Sequence, residues 1–156
     1  MAEVGSDQRA LFRRWPAGVS VVVAEVDGRR AGLTVSSLVS LSLSPGLVGI
    51  SIALDASLHE LLRDAGEWAA SMLSGEQEHL AQHFARSVPP IALWNGIEVR
   101  EDDPRLLVGA VGWLTARTVD EVRTGDHTLF VAELQTIEQA NEPTSLVYVH
   151  RGYSRV

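Results

Sequence analysis

A chain of 156 residues with 46% apolar side chains is long enough to bury a sizeable core, and residues 1–156 read as one domain. The net charge is −7 and lysine is absent, so all 13 basic side chains are Arg; this argues against a nucleic-acid or anionic-membrane surface. Cysteine is absent too, which excludes disulfides and thiol redox chemistry, while no apolar run suits a membrane span and the start lacks a signal-peptide pattern, so a cytoplasmic protein is expected.

In chain order, Asp7 to Trp15 reads as a short amphipathic helix closed by Pro16. Val19 to Glu25 and Arg30 to Thr34 flank Asp27-Gly28, a strong hairpin signal. From Val39 onward the pattern alternates strictly, with Val39, Leu41 and Leu43 on one face and Ser40, Ser42 and Ser44 on the other, as in a half-buried strand. Leu47 to Leu54 forms the next apolar strand. Ser57-Leu58-His59-Glu60 has the spacing of a capping box, opening a helix that should stop at Gly66. Glu67 to Leu73 reads as a strand, and Ser74-Gly75-Glu76-Gln77 offers a second capping box for a helix ending near Phe84. Ser87 to Asp103, with Pro89-Pro90 and an Asn95-Gly96 turn, looks irregular. Leu106 to Val122, His127 to Ile137 and Leu146 to Val149 supply the closing strands.

The segment from Thr34 to Pro45 carries six hydroxyl side chains, Thr34, Ser36, Ser37, Ser40, Ser42 and Ser44, among strand-forming residues. Small hydroxyls donate and accept without bulk, which suits a planar ligand rich in acceptors, or a phosphate; the plainer reading is a solvated strand face. A helix starting at Ser57, directly after Asp55-Ala56, presents free N–H groups to an anion. His79 and His83 share a helix face, but no third ligand accompanies them, so no metal site is expected. The four Trp residues, at 15, 68, 94 and 113, are candidates for stacking on a planar ligand, although core or interface packing is the ordinary use of Trp. Gly-rich dinucleotide and phosphate-loop fingerprints are absent.

Taken together, Trp15-Pro16-Ala17-Gly18-Val19, the Thr34 to Pro45 segment, Gln77 to Phe84, Gly125-Asp126-His127 and the Tyr148 to Tyr153 finish resemble the flavin reductase family of FMN-binding split barrels. The likeness covers nearly the whole chain, with Ala17 standing where many relatives have Thr. It implies a mostly β protein, a six- or seven-stranded antiparallel split β-barrel with a few short helices. The implied activity is NAD(P)H-dependent reduction of FMN or FAD, with hydride passing from nicotinamide to flavin and reduced flavin released to a partner monooxygenase. The resemblance assigns the isoalloxazine edge to Thr34, Val35, Ser36, Ser37, Ser40 and Leu41. It assigns the ribityl chain and phosphate to Asp55, Ala56, Ser57 and Arg86, places Phe84 close to the flavin, and gives the nicotinamide side to His127, the catalytic candidate, and Tyr153. A homodimer is implied as well. Two other readings fit the same residues: a carrier that keeps its flavin tightly, or a small-ligand binder that has lost the chemistry.

Overall fold

The computed structural model describes residues 2–86 and 88–156. The chain opens with α1 (Ala2–Phe12), which ends earlier than Pro16 requires because Arg14 and Trp15 donate to carbonyls three residues back and tighten the last turn. After the two-residue β1 (Ala17–Gly18), β2 (Ser20–Val26) and β3 (Arg29–Val35) form the expected hairpin. Its turn residues Asp27 and Gly28 both have positive φ, 51° and 79°, as a two-residue turn of this hand demands. β2 is buried on both faces from Ser20 to Ala24, which is why Val21, Val22 and Val23 follow one another without a polar residue between them.

β4 (Val39–Leu43) departs from expectation. It pairs with β5 (Gly46–Ala53) at the edge of the sheet, and a register shift between Ser40 and Ser42 interrupts the strict alternation. Neither face is covered: Val39 is 44%, Leu41 46% and Leu43 92% exposed. Periodicity reports that one face is apolar, and here no element of the same chain packs on it.

α2 (Ser57–Ala65) follows β5 and stops at Gly66, whose φ of 69° places it in the left-handed region that ends a helix. The expected capping box does not form. Ala56 occupies the cap position without a side-chain bond, and Ser57 is the first helical residue. β6 (Glu67–Met72) leads to α3 (Glu78–Ala85), where half of the second capping box survives: the Gln77 side-chain oxygen accepts the Ser74 N–H at 2.9 Å, while the helix itself begins one residue later. Ser87, where the irregular connection is expected to begin, lies outside the described residues, and the connection contains a single turn, α4 (Pro90–Leu93).

β7 (Gly112–Thr124) and β8 (His127–Gln139) form a long hairpin, followed by β9 (Leu146–Val149) and β10 (Gly152–Arg155). β7 begins later than expected because Leu107 instead bridges Val99 and the chain then turns at Val108 and Gly109, the latter at φ 90°. β10, not anticipated from the sequence, is reached through His150 and Arg151, both at positive φ. The strands assemble into a seven-stranded antiparallel sheet, β3-β2-β6-β7-β8-β5-β4, and a three-stranded one, β1-β9-β10. Backbone bonds among Val19, Leu73 and Leu146 join the two. One core, built on Val22, Ile50, Ile52, Trp68, Leu114 and Phe130, lies beneath α2; a second, with Val21, Val23, Leu73, Ala81, Phe84 and Leu107, lies beneath α3 and α4. No helix among the described residues is long and apolar enough to cross a membrane.

Candidate functional site

A groove of about 940 Å³ runs along β3 between the ends of α2, α3 and α4. One end is formed by Ala31, Gly32 and Leu33 of β3, with Asp55, Ala56 and Ser57 at the start of α2 and Phe84, Ala85 and Arg86 at the end of α3. These segments meet for local reasons. β5 and α2 are joined by a two-residue-plus-cap turn in which Ala56 N–H donates to Ala53 O, so the first N–H groups of α2 emerge at the groove. Gly32 lets Phe84 close on β3, since a side chain there would sit 3.0 Å from the phenyl ring. Asp55, Ala56, Ser57 and Arg86, expected at a flavin ribityl-phosphate site, and Phe84, expected close to the flavin, thus line one groove.

Thr34 to Ser37 continue directly from this end of the groove at the exit of β3. Two of their hydroxyls are committed to the scaffold. Thr34 donates to Ala81 O at 2.7 Å, tying β3 to α3, and Ser37 lies 3.0 Å from both the N and the O of Ser51, tying the β3–β4 connection to β5. Ser40 and Leu41 lie beyond, on the exposed edge strand.

His127 begins β8 opposite Ala53, and Leu54 N–H donates to Asp126 O, so the Gly125-Asp126-His127 turn adjoins the segment that carries Asp55 to Ser57. His127 Nδ1 is 2.7 Å from Asp126 Oδ1. That hydrogen bond, and then the His127 charge, hold the Asp126 carboxyl below the usual carboxylate range. Neighbouring side chains on an extended strand point apart; Asp126 can reach His127 because it belongs to the turn, next to Gly125 at φ 69°.

Tyr153 is placed elsewhere. It lines a second, shallower cleft with Glu76, Glu78, His79 and Arg155, packs on Tyr148 at 5.2 Å between ring centres, and is not among the residues of the β3 groove. Burial, with Tyr148 and Glu78 nearby, pushes its phenol above the usual value, so it stays a neutral donor at physiological pH. His83 is occupied by Leu93 O, 2.6 Å from Nε2, and no cluster of three metal-ligating side chains occurs among the described residues.

Sequence reasoning did not single out His59, Arg29, Arg30 or Pro104. His59 is buried, with Nε2 2.8 Å from Thr128 Oγ1 and Nδ1 3.1 Å from Glu60 Oε1, so it braces α2 against the strand residue beside His127. Arg29, Arg30, Trp94 and Pro104 line the far end of the groove. Only the position of Arg29 and Arg30 after the Asp27-Gly28 turn hinted at a shared location.

The chain is similar to known proteins over nearly its whole length. The 4-hydroxyphenylacetate 3-monooxygenase reductase component of Thermus thermophilus is 34% identical, covering 95% of this chain and 94% of its own. The NADH:FMN oxidoreductase of Rhodococcus qingshengii is 33% identical over 96% of this chain and 80% of its own. Among solved structures, the NADH:FAD oxidoreductase SgcE6 of Streptomyces globisporus C-1027 superimposes with a TM-score of 0.90 at 30% identity, covering 97% of this chain and 93% of that one. The architecture is therefore the antiparallel split barrel that the strand order describes. With the flavin reductase like domain matching residues 12–156, the chain belongs to that family.

Proposed function

We propose that the protein is an NAD(P)H:flavin oxidoreductase that reduces FMN or FAD and releases the reduced flavin to a partner monooxygenase. The observation that carries this reading is the groove along β3, whose lining includes the start of α2 with Ser57 and, from the end of α3, Arg86. That donor set fits a phosphate monoester: uncapped N–H groups and a guanidinium both favour a doubly charged anion. From there the groove leads to Thr34 to Ser37, whose backbone groups and remaining hydroxyls would meet the polar edge of an isoalloxazine.

When bound, flavin supplies the hydride acceptor for reduced nicotinamide. The residues of this chain align the two rings and offer charge and hydrogen bonds where the reduced ring becomes electron-rich. His127, oriented through Nδ1 by Asp126, stands at the turn that adjoins the segment leading into α2. Tyr153 would border a nicotinamide only from its separate cleft, which favours a site completed by a second copy. The exposed apolar side chains Val39, Leu41 and Leu43 on β4, the strand that ends the sheet beyond β5, support such a homodimer, because an edge of this kind is normally covered. A cytoplasmic location suits a consumer of reduced nicotinamide.

Loss of NADH absorbance under air, with no flavin, FMN or FAD and then with NADPH, tests the proposal. Turnover that saturates with flavin supports it, and flavin binding without turnover would replace it with an electron carrier.

A further inference from the structure

The two halves of the proposed site stand on different elements. The start of α2, with Ser57, serves the flavin side, and the Asp126-His127 turn at the start of β8 serves the nicotinamide side. Hydride transfer requires the two ligands to be closely aligned, so whatever ties α2 to β8 bears on its rate.

That tie is a buried polar contact. His59 lies in the first turn of α2, two residues past Ser57, and Thr128 directly follows His127. His59 is 5% and Thr128 7% exposed, and His59 Nε2 is 2.8 Å from Thr128 Oγ1. Among the described residues it is the one side-chain hydrogen bond between α2 and β8. Glu60, as a carboxylate, only accepts, so His59 Nδ1, 3.1 Å from Glu60 Oε1, carries a hydrogen. In the neutral ring Nε2 is then the acceptor and the Thr128 hydroxyl the donor. Phe130 meets the imidazole edge to face, with ring centres 5.4 Å apart, and fixes its plane. Thr128 is held in turn by its neighbours, opposite Ile52 of β5 and Arg123 of β7.

Packing alone does not ask for a histidine here, since Leu58, Leu61 and Leu62 bury the rest of this helix without a polar group. An apolar contact is non-directional and tolerates sliding, whereas a hydrogen bond fixes a distance and a direction. Neither His59 nor Thr128 lines the β3 groove. Resting on the flavin reading above, we propose that His59 is a positioning residue for hydride transfer, which through Thr128 sets where the His127 turn stands relative to the start of α2. Cutting the tie leaves each ligand its own contacts and impairs the step that needs both.

The test compares the wild type with His59→Leu, His59→Gln and Thr128→Val, using FMN and NADH. Gln keeps an acceptor near the Nε2 position, and Val has the shape of Thr without the hydroxyl. Anaerobic single-turnover reduction at saturating NADH should slow about tenfold in His59→Leu and Thr128→Val and recover to within about threefold of wild type in His59→Gln. The FMN dissociation constant and the half-saturating NADH concentration should stay within about twofold. In the ligand-free protein, the Leu54 amide, which donates to Asp126 O, should exchange with solvent about tenfold faster in the two cut variants, while the amides of β2 keep their rates. Added to His127→Ala, either cut should cost less than about twofold more, because a group that acts through His127 then has nothing left to place. Unchanged reduction rates, a loss explained by weaker FMN or NADH binding, or a defect of full size on His127→Ala overturns the proposal and leaves the flavin reading standing. If circular dichroism shows His59→Leu unfolded, Thr128→Val decides by the same criteria. If the wild type neither binds nor reduces FMN, both readings fall.

Discussion

At the scale of single residues, the pair Asp126–His127 is the most consequential contact near the proposed nicotinamide side. His127→Ala should slow single-turnover flavin reduction about 10²-fold, the lower end for a positioned acid–base side chain, while flavin affinity changes less than about twofold. Stopped-flow reduction with preloaded flavin measures this, and an unchanged rate would remove His127 from the mechanism. A second pair governs the wall of the groove. Arg105 holds Asp103 through two side-chain bonds and a backbone N–H, fixing the turn that presents Pro104 O to Arg30. Burial alone would raise the Asp103 pKa, but the Arg105 hydrogen bonds and charge outweigh it and the carboxyl is held below its usual value. The stability this pair contributes is therefore fully present above the unfolded carboxylate pKa of about 4 and is lost as pH falls through the lower folded value. Urea midpoints should show that loss in the wild type and not in Asp103→Asn; equal acid limbs would contradict it.

At the scale of elements, α2 owes its end to one glycine. Gly66 lies at φ 69° with open space around its Cα, so Gly66→Ala should cost about 1 kcal/mol through backbone strain alone, read as a lowered urea midpoint with unchanged slope. This helix end was readable in the sequence, as were the Asp27-Gly28 turn and the valine-rich strand before it, because each rests on a residue type whose local physics admits few alternatives. β10 was not, since its turn is made by His150 and Arg151, neither of which signals positive φ. The apolar face of β4 was visible but its covering was not, because alternation does not say which neighbour supplies the other half. The groove was half readable. Asp55 to Ser57, Phe84 and Arg86 stood out by position, whereas Arg30 meets Trp94 and Pro104 across 64 and 74 residues of chain, beyond any local pattern. Likewise Thr34 and Ser37 looked like ligand hydroxyls, yet each also serves as a tie between elements.

At the scale of the whole molecule, the open question of assembly falls on β4. Leu43→Glu, together with Leu41→Glu, should convert a homodimer to a monomer in sedimentation while leaving the circular dichroism spectrum intact, because neither side chain belongs to either core. Turnover should fall if the second copy completes the site. A wild type that sediments as a monomer at micromolar concentration would remove the dimer from the proposal.

The groove is assembled from stretches near residues 29–33, 55–57, 84–86, 94 and 104, which lie far apart along the chain. Anything lodged there works as a removable cross-link spanning half the polypeptide. By mass action, flavin at 100 times its dissociation constant should add about 2.7 kcal/mol to the unfolding free energy, so the melting temperature should climb with dissolved flavin. An enzyme that must surrender its product cannot keep that brace. Its resistance to heat and proteolysis would then rise and fall with the cell's free flavin, tying the lifetime of the reductase to the supply of what it reduces.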